Sequence, residues 1–399
     1  MAIDPQNALI LWNRAPHAVE ALLRKALSRF DGEGPSSSPS PVKLDLEISL
    51  ALAIMYQRRL HEARNLIQMI LKSHPDQESA LWCEAQLRFY LGEEWPGVWD
   101  QMEHRWGAGY SGARPFDATR VWDGSPLNGR SVLLAGEGGL GDQIMFIRFA
   151  PLLKAAGAGH LTVSADAGLI PFLQTMPGVD AFVAKTPGSN EPGREVAFDA
   201  GVPMLSAPAC LRTTLSTLPA EVPYLAVPRI FVEAARERMR STMSITDKPV
   251  LNVGLCWRAN KKFRSVPLEI FRPLLDVPGV RLFGLGEASV IEEECAAFPM
   301  TNLGGRDILS SAGAVAALDL VIAPDTMMVH LAGSLGRPVW LVLHYLADWR
   351  WPFTGETTPW YPTARLFRRE SEDWESVTRQ LVDELTAKAL TAGLRRDSH

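Results

Sequence analysis

Residues 319–344 constrain the fold of this chain more than any other stretch. Two short apolar runs enclose an Asp-Thr pair and a segment whose apolar residues have helical spacing. This order predicts a strand, a helix and a parallel strand, with Asp325 and Thr326 at the carboxyl end of the first strand. His330 follows Thr326 by four residues, so both side chains project from one helix face. Ligands bind at that end of open α/β sheets, and helix N-termini attract phosphate, so we predict phosphate and sugar binding here. An N-cap pair and a core histidine are the alternative.

Composition excludes several classes of partner. The 399 residues predict two to three domains, and 47 % hydrophobic residues are enough to give each a core. The net charge of −5 and the lack of a basic tail argue against nucleic acid and anionic membranes. The four cysteines form no CxxC pair and no metal-spaced cluster, which indicates a reduced, cytoplasmic protein. The start does not resemble a secretion signal, and no apolar run approaches the ~20 residues of a membrane span.

The first part of the chain has a helical pattern. Residues 1–114 are predicted to form an α-helical, tetratricopeptide-like domain, with one 34-residue unit and a second, poorer copy after residue 78. The positions that match the repeat are Leu50, Ala51, Ala63 and Pro75. The predicted helices span 18–30, 44–57, 60–73, 79–91 and 95–106. Such a block either binds a protein partner or only stabilises the rest of the chain.

After a connector rich in Gly, Pro and Asp, strands and helices alternate twice. This alternation predicts an α/β fold of two doubly wound, Rossmann-like domains facing a cleft, over residues 115–245 and 246–399. The last helix is expected to pack back onto the sheets. The predicted strands span 132–135, 160–165, 250–257, 280–285, 320–323 and 339–343. The predicted helices span 143–156, 230–243, 268–275, 289–297, 307–317 and 373–389.

A glycine-rich loop follows the first predicted strand. Gly136, Gly138 and Gly141 satisfy GxGxxG, and Asp166 ends the second strand near the place of a ribose-binding acid. An NAD(P)-binding Rossmann oxidoreductase is therefore one alternative. However, Asp142 directly follows the last glycine, and two like charges about 4 Å apart repel by about 4 kcal/mol at an effective dielectric near 20. We therefore predict that Asp142 faces the cleft as a general base, with helix N-capping as the alternative.

A basic loop follows the strand predicted at 250–257. Arg258, Lys261, Lys262 and Arg264 place four cations within seven residues, just before a helix. Cations and helix N–H groups at this position can neutralise a departing nucleoside phosphate without a metal ion. Arg264 is the best candidate because it lies next to the helix start. A solvated surface loop is the alternative.

Further candidates surround these two loops. Glu287 follows the next strand, where it can accept hydrogen bonds from ribose hydroxyls or cap the following helix. Trp257 and the aromatic run Trp349, Trp351, Trp360 and Tyr361 can stack on a base or sugar, or form an inter-domain core. The remaining candidate ligand-binding residues are Gly138, Gly139, Gly141 and Met327.

Five segments, in this order and spacing, resemble bacterial tetratricopeptide-linked glycosyltransferases related to the heptosyltransferase family, which have the GT-B fold. The segments are GEGGLGDQIMFIRFAPLL, TMPGVDAFVA, VGLCWRANKKFRSVPL, LDLVIAPDTMMVHLAGSLGRPVWLVL and DWRWPF. The resemblance covers roughly Trp122 to Phe367. The cysteine cluster of iron-bearing autotransporter heptosyltransferases is absent from the sequence.

This resemblance implies an activity. It places Asp142 at the position of the catalytic base and Arg264 at that of a Lys or Arg on the donor phosphates. Asp325, Thr326 and His330 match the donor-site motif. It implies an inverting, metal-independent transfer from a nucleotide-sugar, with no further cofactor, to an acceptor hydroxyl, on a protein such as flagellin bound through the helical domain. A non-catalytic tetratricopeptide scaffold with a relict nucleotide cleft is the remaining alternative.

Overall fold

The chain folds into two compact units. The computed structural model describes residues 16–30, 40–93, 95–110, 112–193, 195–242, 251–260, 264–345, 347–370 and 373–397. The first unit contains the described residues among 1–112, 212–214 and 346–354. The second unit contains the described residues of 113–211, 215–345 and 355–399. Apart from residues 212–214 and 347–354, the described parts of both predicted α/β domains fall within this second unit, each with its own sheet.

In the first unit each described helix packs against the next one in the sequence. Its helices are α1 Pro16–Leu27, α2 Pro41–Tyr56, α3 Leu60–Ser73, α4 Glu78–Tyr90 and α5 Trp95–Met102. Small side chains let neighbouring helices approach closely. At such positions Ala51, Ala53 and Ala63 have no exposed surface. The predicted helices are confirmed, whereas the tetratricopeptide assignment stays a prediction.

A segment from late in the chain completes the first unit. The hydroxyl of Tyr90 donates to the carbonyl of Ala347 at 2.5 Å. The ring of Trp349 stacks on Phe89 at a centroid distance of 4.8 Å and meets Trp99 edge-on at 5.8 Å. Trp349 and Trp351 are buried, in agreement with the core alternative for these aromatic residues.

The first sheet of the second unit has four parallel strands in the order β3-β2-β1-β4. They are β1 Ser131–Ala135, β2 His160–Ala165, β3 Ala181–Ala184 and β4 Ala200–Pro203. Its helices are α6 Leu140–Phe146, α7 Ala150–Ala155, α8 Ile170–Leu173 and α9 Ala207–Cys210. The helix predicted over 143–156 is divided by a 3₁₀ turn at Ile147–Phe149. Pro151 has no N–H for the carbonyl of Ile147, which explains this break.

The second sheet has six parallel strands in the order β10-β9-β8-β5-β6-β7. They are β5 Leu251–Leu255, β6 Val280–Gly284, β7 Thr301–Asn302, β8 Leu320–Pro324, β9 Val339–Leu343 and β10 Ala364–Arg368. The helices of this half are α10 Arg229–Ser241, α11 Ala288–Ala297, α12 Ile308–Ala317, α13 Met327–Ser334 and α14 Glu375–Asp397.

One helix of this half differs in type from the prediction, and the last helix packs its apolar stripe into a core. The helix predicted over 268–275 is a 3₁₀ helix, Leu268–Asp276, because Pro273 inside it cannot donate a helical hydrogen bond. Val377, Leu381 and Leu385 of α14 are fully buried in the core of the second sheet. The apolar stripe of the last helix therefore packs against this sheet.

The strand order of each sheet reverses beside its first strand. The reversal lies between β1 and β4 in the first sheet and between β5 and β8 in the second. The crevice at the carboxyl ends of such strands is the usual ligand site of open α/β sheets.

Across the described parts of the chain, no helix combines the length and apolarity that a bilayer crossing requires.

Candidate functional site

The reversal point of the second sheet brings two predicted site residues together. Nη1 of Arg264, from the loop after β5, lies 2.9 Å from Oδ2 of Asp325, which follows β8. The side chain of Asp325 is 10 % exposed and that of Arg264 is 30 % exposed. A carboxylate this buried needs a paired charge, and the pairing in turn holds the guanidinium at the strand ends.

Thr326 begins α13 at the same strand end. Its backbone is extended, and its hydroxyl accepts a hydrogen bond from the N–H of Met328 at 3.3 Å. Met327 is half-buried at the first position of the helix. The first turn of α13 thus lies at the carboxyl end of β8, where its N–H groups and partial positive charge favour an anion.

The side chains of Cys256 and His344 contact the loop after β5. Burial raises the pKa of the Cys256 thiol to about 11, so Cys256 stays protonated and donates to the carbonyl of Arg258 at 3.5 Å. Burial, and then the charge of Arg369, lower the pKa of His344 to about 4. The neutral ring of His344 therefore donates from Nε2 to the carbonyl of Ser265, at 3.2 Å.

His330 lies one turn into α13 and is 4 % exposed. Its Nδ1 is 2.9 Å from the hydroxyl of Tyr361. The opposite edge of the ring faces the glycine loop, since a Cβ on Gly141 would lie 2.6 Å from Cδ2 and 3.3 Å from Nε2 of His330. The third glycine of the motif is thus required by the close approach of α6 and α13.

Asp142 is the third residue of α6. Its Oδ2 accepts a hydrogen bond from the N–H of Gly139 at 2.7 Å. Gly138 has a φ of +69°, and a Cβ there would lie 2.5 Å from the same oxygen. The capping alternative therefore applies in a modified form, because Asp142 caps from the first turn while Gly139 takes the N-cap position.

The same geometry weighs against a dinucleotide. The carboxylate of Asp142 folds over the glycine turn, where a pyrophosphate would dock. Asp166, at the place of the ribose-binding acid, is paired with the buried Lys185 at 3.3 Å and accepts from the amide of Gln143. A Rossmann fingerprint needs the glycine turn for the pyrophosphate and an acidic side chain for the ribose, and both are engaged in these other contacts.

The remaining predicted residues have mixed positions. Glu287 precedes α11 with an exposed side chain that makes no capping hydrogen bond. Trp257 is 3 % exposed in the core of the second sheet, and its Nε1 donates to Glu294 at 2.9 Å. Lys261 and Lys262 lie outside the described residues.

The sequence pattern did not predict a role for Arg148 or Tyr224. In the structure both contact Tyr361, whose hydroxyl contacts Nδ1 of His330. The signal was a single charge inside the apolar stretch QIMFIRFAPLL. Tyr361 and Trp360 are fully buried, as the core alternative predicted.

Among the side chains that the structure describes, no group of three His, Cys, Asp or Glu is arranged to hold a metal ion.

No family model matches this sequence. The curated protein FlbA of Caulobacter vibrioides is 28 % identical to the chain over 325 residues. The match covers 74 % of this chain and 52 % of FlbA, so the chain spans about half the length of that relative.

Two solved structures superpose on large parts of this chain. The crystal structure of a glycosyl transferase family 9 protein from Veillonella parvula superposes with a TM-score of 0.51 and 14 % identity, covering 67 % of this chain and 99 % of that one. The ADP-heptose lps heptosyltransferase II of E. coli gives a TM-score of 0.46 and 18 % identity, covering 65 % of this chain and 99 % of that one. The first likeness shows that the mixed α/β fold with parallel sheets is shared with a glycosyl transferase.

Proposed function

We propose that this protein is an inverting, metal-independent glycosyltransferase that moves a sugar from a nucleotide-sugar donor to an acceptor hydroxyl. The observation that carries the proposal is the Arg264–Asp325 ion pair at the reversal point of the second sheet. This pair fixes a cation beside the N-terminus of α13, within a fold shared with a glycosyl transferase. The guanidinium of Arg264 and the N-terminus of α13 both favour the negative charge of a nucleoside diphosphate.

The donor phosphates would bind at Thr326 and the first turn of α13. As the bond from the anomeric carbon to the phosphate oxygen breaks, negative charge grows on the departing nucleoside diphosphate. The guanidinium of Arg264 and the helix N–H groups would stabilise that charge. Glu287, at the carboxyl end of the neighbouring β6, would accept hydrogen bonds from the ribose hydroxyls.

Asp142 would act on the acceptor. Its carboxylate would take the proton of the acceptor hydroxyl while the hydroxyl oxygen attacks the anomeric carbon from the face opposite the leaving phosphate. A single displacement of this kind inverts the anomeric configuration. We further propose that the acceptor is a protein such as flagellin, bound through the helical first unit; this step rests on resemblance alone.

Ligand-dependent thermal unfolding tests the donor site. At 100 times its dissociation constant, a ligand that binds the native state alone stabilises it by about 2.7 kcal/mol. We expect one of UDP, GDP, ADP or CMP to raise the unfolding temperature, and NAD to leave it unchanged. In an Arg264→Gln variant, the shift given by the best nucleotide should be much smaller. Stabilisation by NAD alone would contradict the proposal and favour the oxidoreductase.

A further inference from the structure

Arg148 is a buried cation held without a carboxylate. It is 3 % exposed, and its guanidinium donates to the carbonyls of Met145 at 2.8 Å, Pro219 at 3.3 Å and Trp360 at 2.7 Å. It also donates to the hydroxyl of Tyr224 at 2.9 Å. Within the described part of the chain, no Asp or Glu forms an ion pair with it. Burying a charge costs several kcal/mol unless neighbouring groups compensate, so the environment of this guanidinium is informative.

The charge of Arg148 lies against two tyrosines. Its Cζ is 4.5 Å from the ring centroid of Tyr224 and 4.7 Å from that of Tyr361. The hydroxyl of Tyr224 lies 3.0 Å from the carbonyl of Ile144, which can only accept, so Tyr224 donates there. The proton of the Tyr224 hydroxyl is therefore committed to the main chain.

The proton of the Tyr361 hydroxyl has a different acceptor. Burial raises the pKa of Tyr361 well above its usual value, so the hydroxyl stays protonated. Its oxygen is 2.9 Å from Nδ1 of His330 but 3.5 Å from the oxygen of Tyr224. If Nδ1 carried the proton, the Tyr361 hydroxyl would have to donate to Tyr224 across the longer distance of 3.5 Å. Donation from Tyr361 to Nδ1 of His330 uses the shorter contact and is therefore favoured.

We propose that Tyr361, whose ring packs against the guanidinium of Arg148, is a positioning residue that holds His330 as the tautomer protonated at Nε2. The hydrogen bond at one ring nitrogen determines which nitrogen carries the proton. Nε2 faces Gly141, at the place where the first turn of α6 meets α13. Since the proposed function places the donor phosphates beside α13, and this inference rests on it, the N–H of His330 would donate to a phosphate oxygen. An unprotonated Nε2 would repel the same oxygen.

The tautomer can be observed without any ligand. In protein labelled with ¹⁵N-histidine, long-range ¹H–¹⁵N correlation spectra distinguish protonated from unprotonated ring nitrogens. The chain has eight histidines, and a His330→Gln variant identifies the signals of His330. We expect the wild-type ring to be protonated at Nε2 alone. A wild-type ring protonated at Nδ1, or exchanging between both forms, would overturn the assignment.

Tyr361→Phe and Tyr224→Phe form a matched pair. Each removes one tyrosine hydroxyl, but Tyr224→Phe leaves the 2.9 Å contact of Tyr361 with His330 in place. We expect mixed tautomers in Tyr361→Phe and a wild-type spectrum in Tyr224→Phe. Calorimetric titration with ADP and with UDP should show about tenfold weaker binding in Tyr361→Phe, as expected for one lost hydrogen bond. Binding by Tyr224→Phe should stay within about twofold of wild type.

The possible failures are distinguishable. Equal losses of affinity in both Phe variants would indicate a structural role alone and would overturn the positioning role. A wild-type protein that binds no nucleoside diphosphate would overturn the proposed function, and the role of the N–H with it. The tautomer experiment would still report the state of the ring in that case, because it needs no nucleotide.

Discussion

At the residue scale, Asp142 combines two roles that one substitution separates. Its carboxylate accepts from the N–H of Gly139, which stabilises the start of α6, and we propose that it also accepts the proton of the acceptor hydroxyl. Asp142→Asn keeps an oxygen for the first role and loses the basicity needed for the second. Asp142→Ala loses both and should cost about 1 kcal/mol of stability besides.

We expect Asp142→Asn to lower the rate of sugar transfer by roughly 10²–10⁴-fold, the usual loss when a general base is removed. Its unfolding temperature and nucleotide affinity should match wild type. Release of nucleoside diphosphate from the donor measures the rate. Asp117→Asn is the control, because Asp117 is an exposed carboxylate that accepts from the N–H of Thr119 in the same way. A wild-type rate in Asp142→Asn would refute the assignment of the base.

At the scale of the elements, the important contact is that between α6 and α13. Helix propensity alone predicts that Gly141→Ala stabilises α6, by up to about 1 kcal/mol. In the structure, however, the new Cβ would lie 2.6 Å from the ring of His330. The ring of His330 or the backbone of α6 must shift to accommodate it, because real Cβ atoms essentially never come this close to another atom.

Gly141→Ala should therefore destabilise the protein by about 1–3 kcal/mol, the usual cost of overpacking, and weaken nucleotide binding. Urea unfolding and nucleotide titration measure the two effects. Gly168→Ala is the control, because a Cβ at that position meets no atom within 4 Å. If Gly141→Ala instead stabilises the protein, the two helices do not pack as closely as described.

At the scale of the whole molecule, the first unit depends on a segment about 260 residues away in sequence. Trp349 is 7 % exposed and stacks on Phe89, so the segment 347–354 supplies part of the core of this unit. Trp349→Ala should cost about 3–5 kcal/mol, as removal of a buried aromatic side chain usually does. Chemical denaturation measures this cost. Trp349→Phe should recover much of it by keeping a stacked ring, and equal losses in both variants would show that the stacking contributes little.

The sequence determined the regular elements that have a strong pattern. The spans of α3, β2 and β9 agree with prediction to the residue, because their apolar spacing is uninterrupted. β10 was not predicted, since Arg365 and Arg368 break its apolar run; its parallel pairing with β9 makes it a strand. The helices predicted over 143–156 and 268–275 differ in geometry from the prediction because Pro151 and Pro273 lack the N–H that a regular α-helix requires.

The sequence also placed Asp325, Thr326 and Arg264 at strand ends, because side chains after a parallel strand must lie at one edge of its sheet. Only the tertiary structure decided which of them touch. The pairing of Arg264 with Asp325 follows from β5 and β8 being neighbours, although 64 residues lie between the end of β5 and the start of β8. The contact of His330 with Gly141, and the placement of Arg148 against two tyrosines, likewise join distant segments. Local patterns fix the conformation of a segment, whereas packing among segments that burial brings together fixes the site.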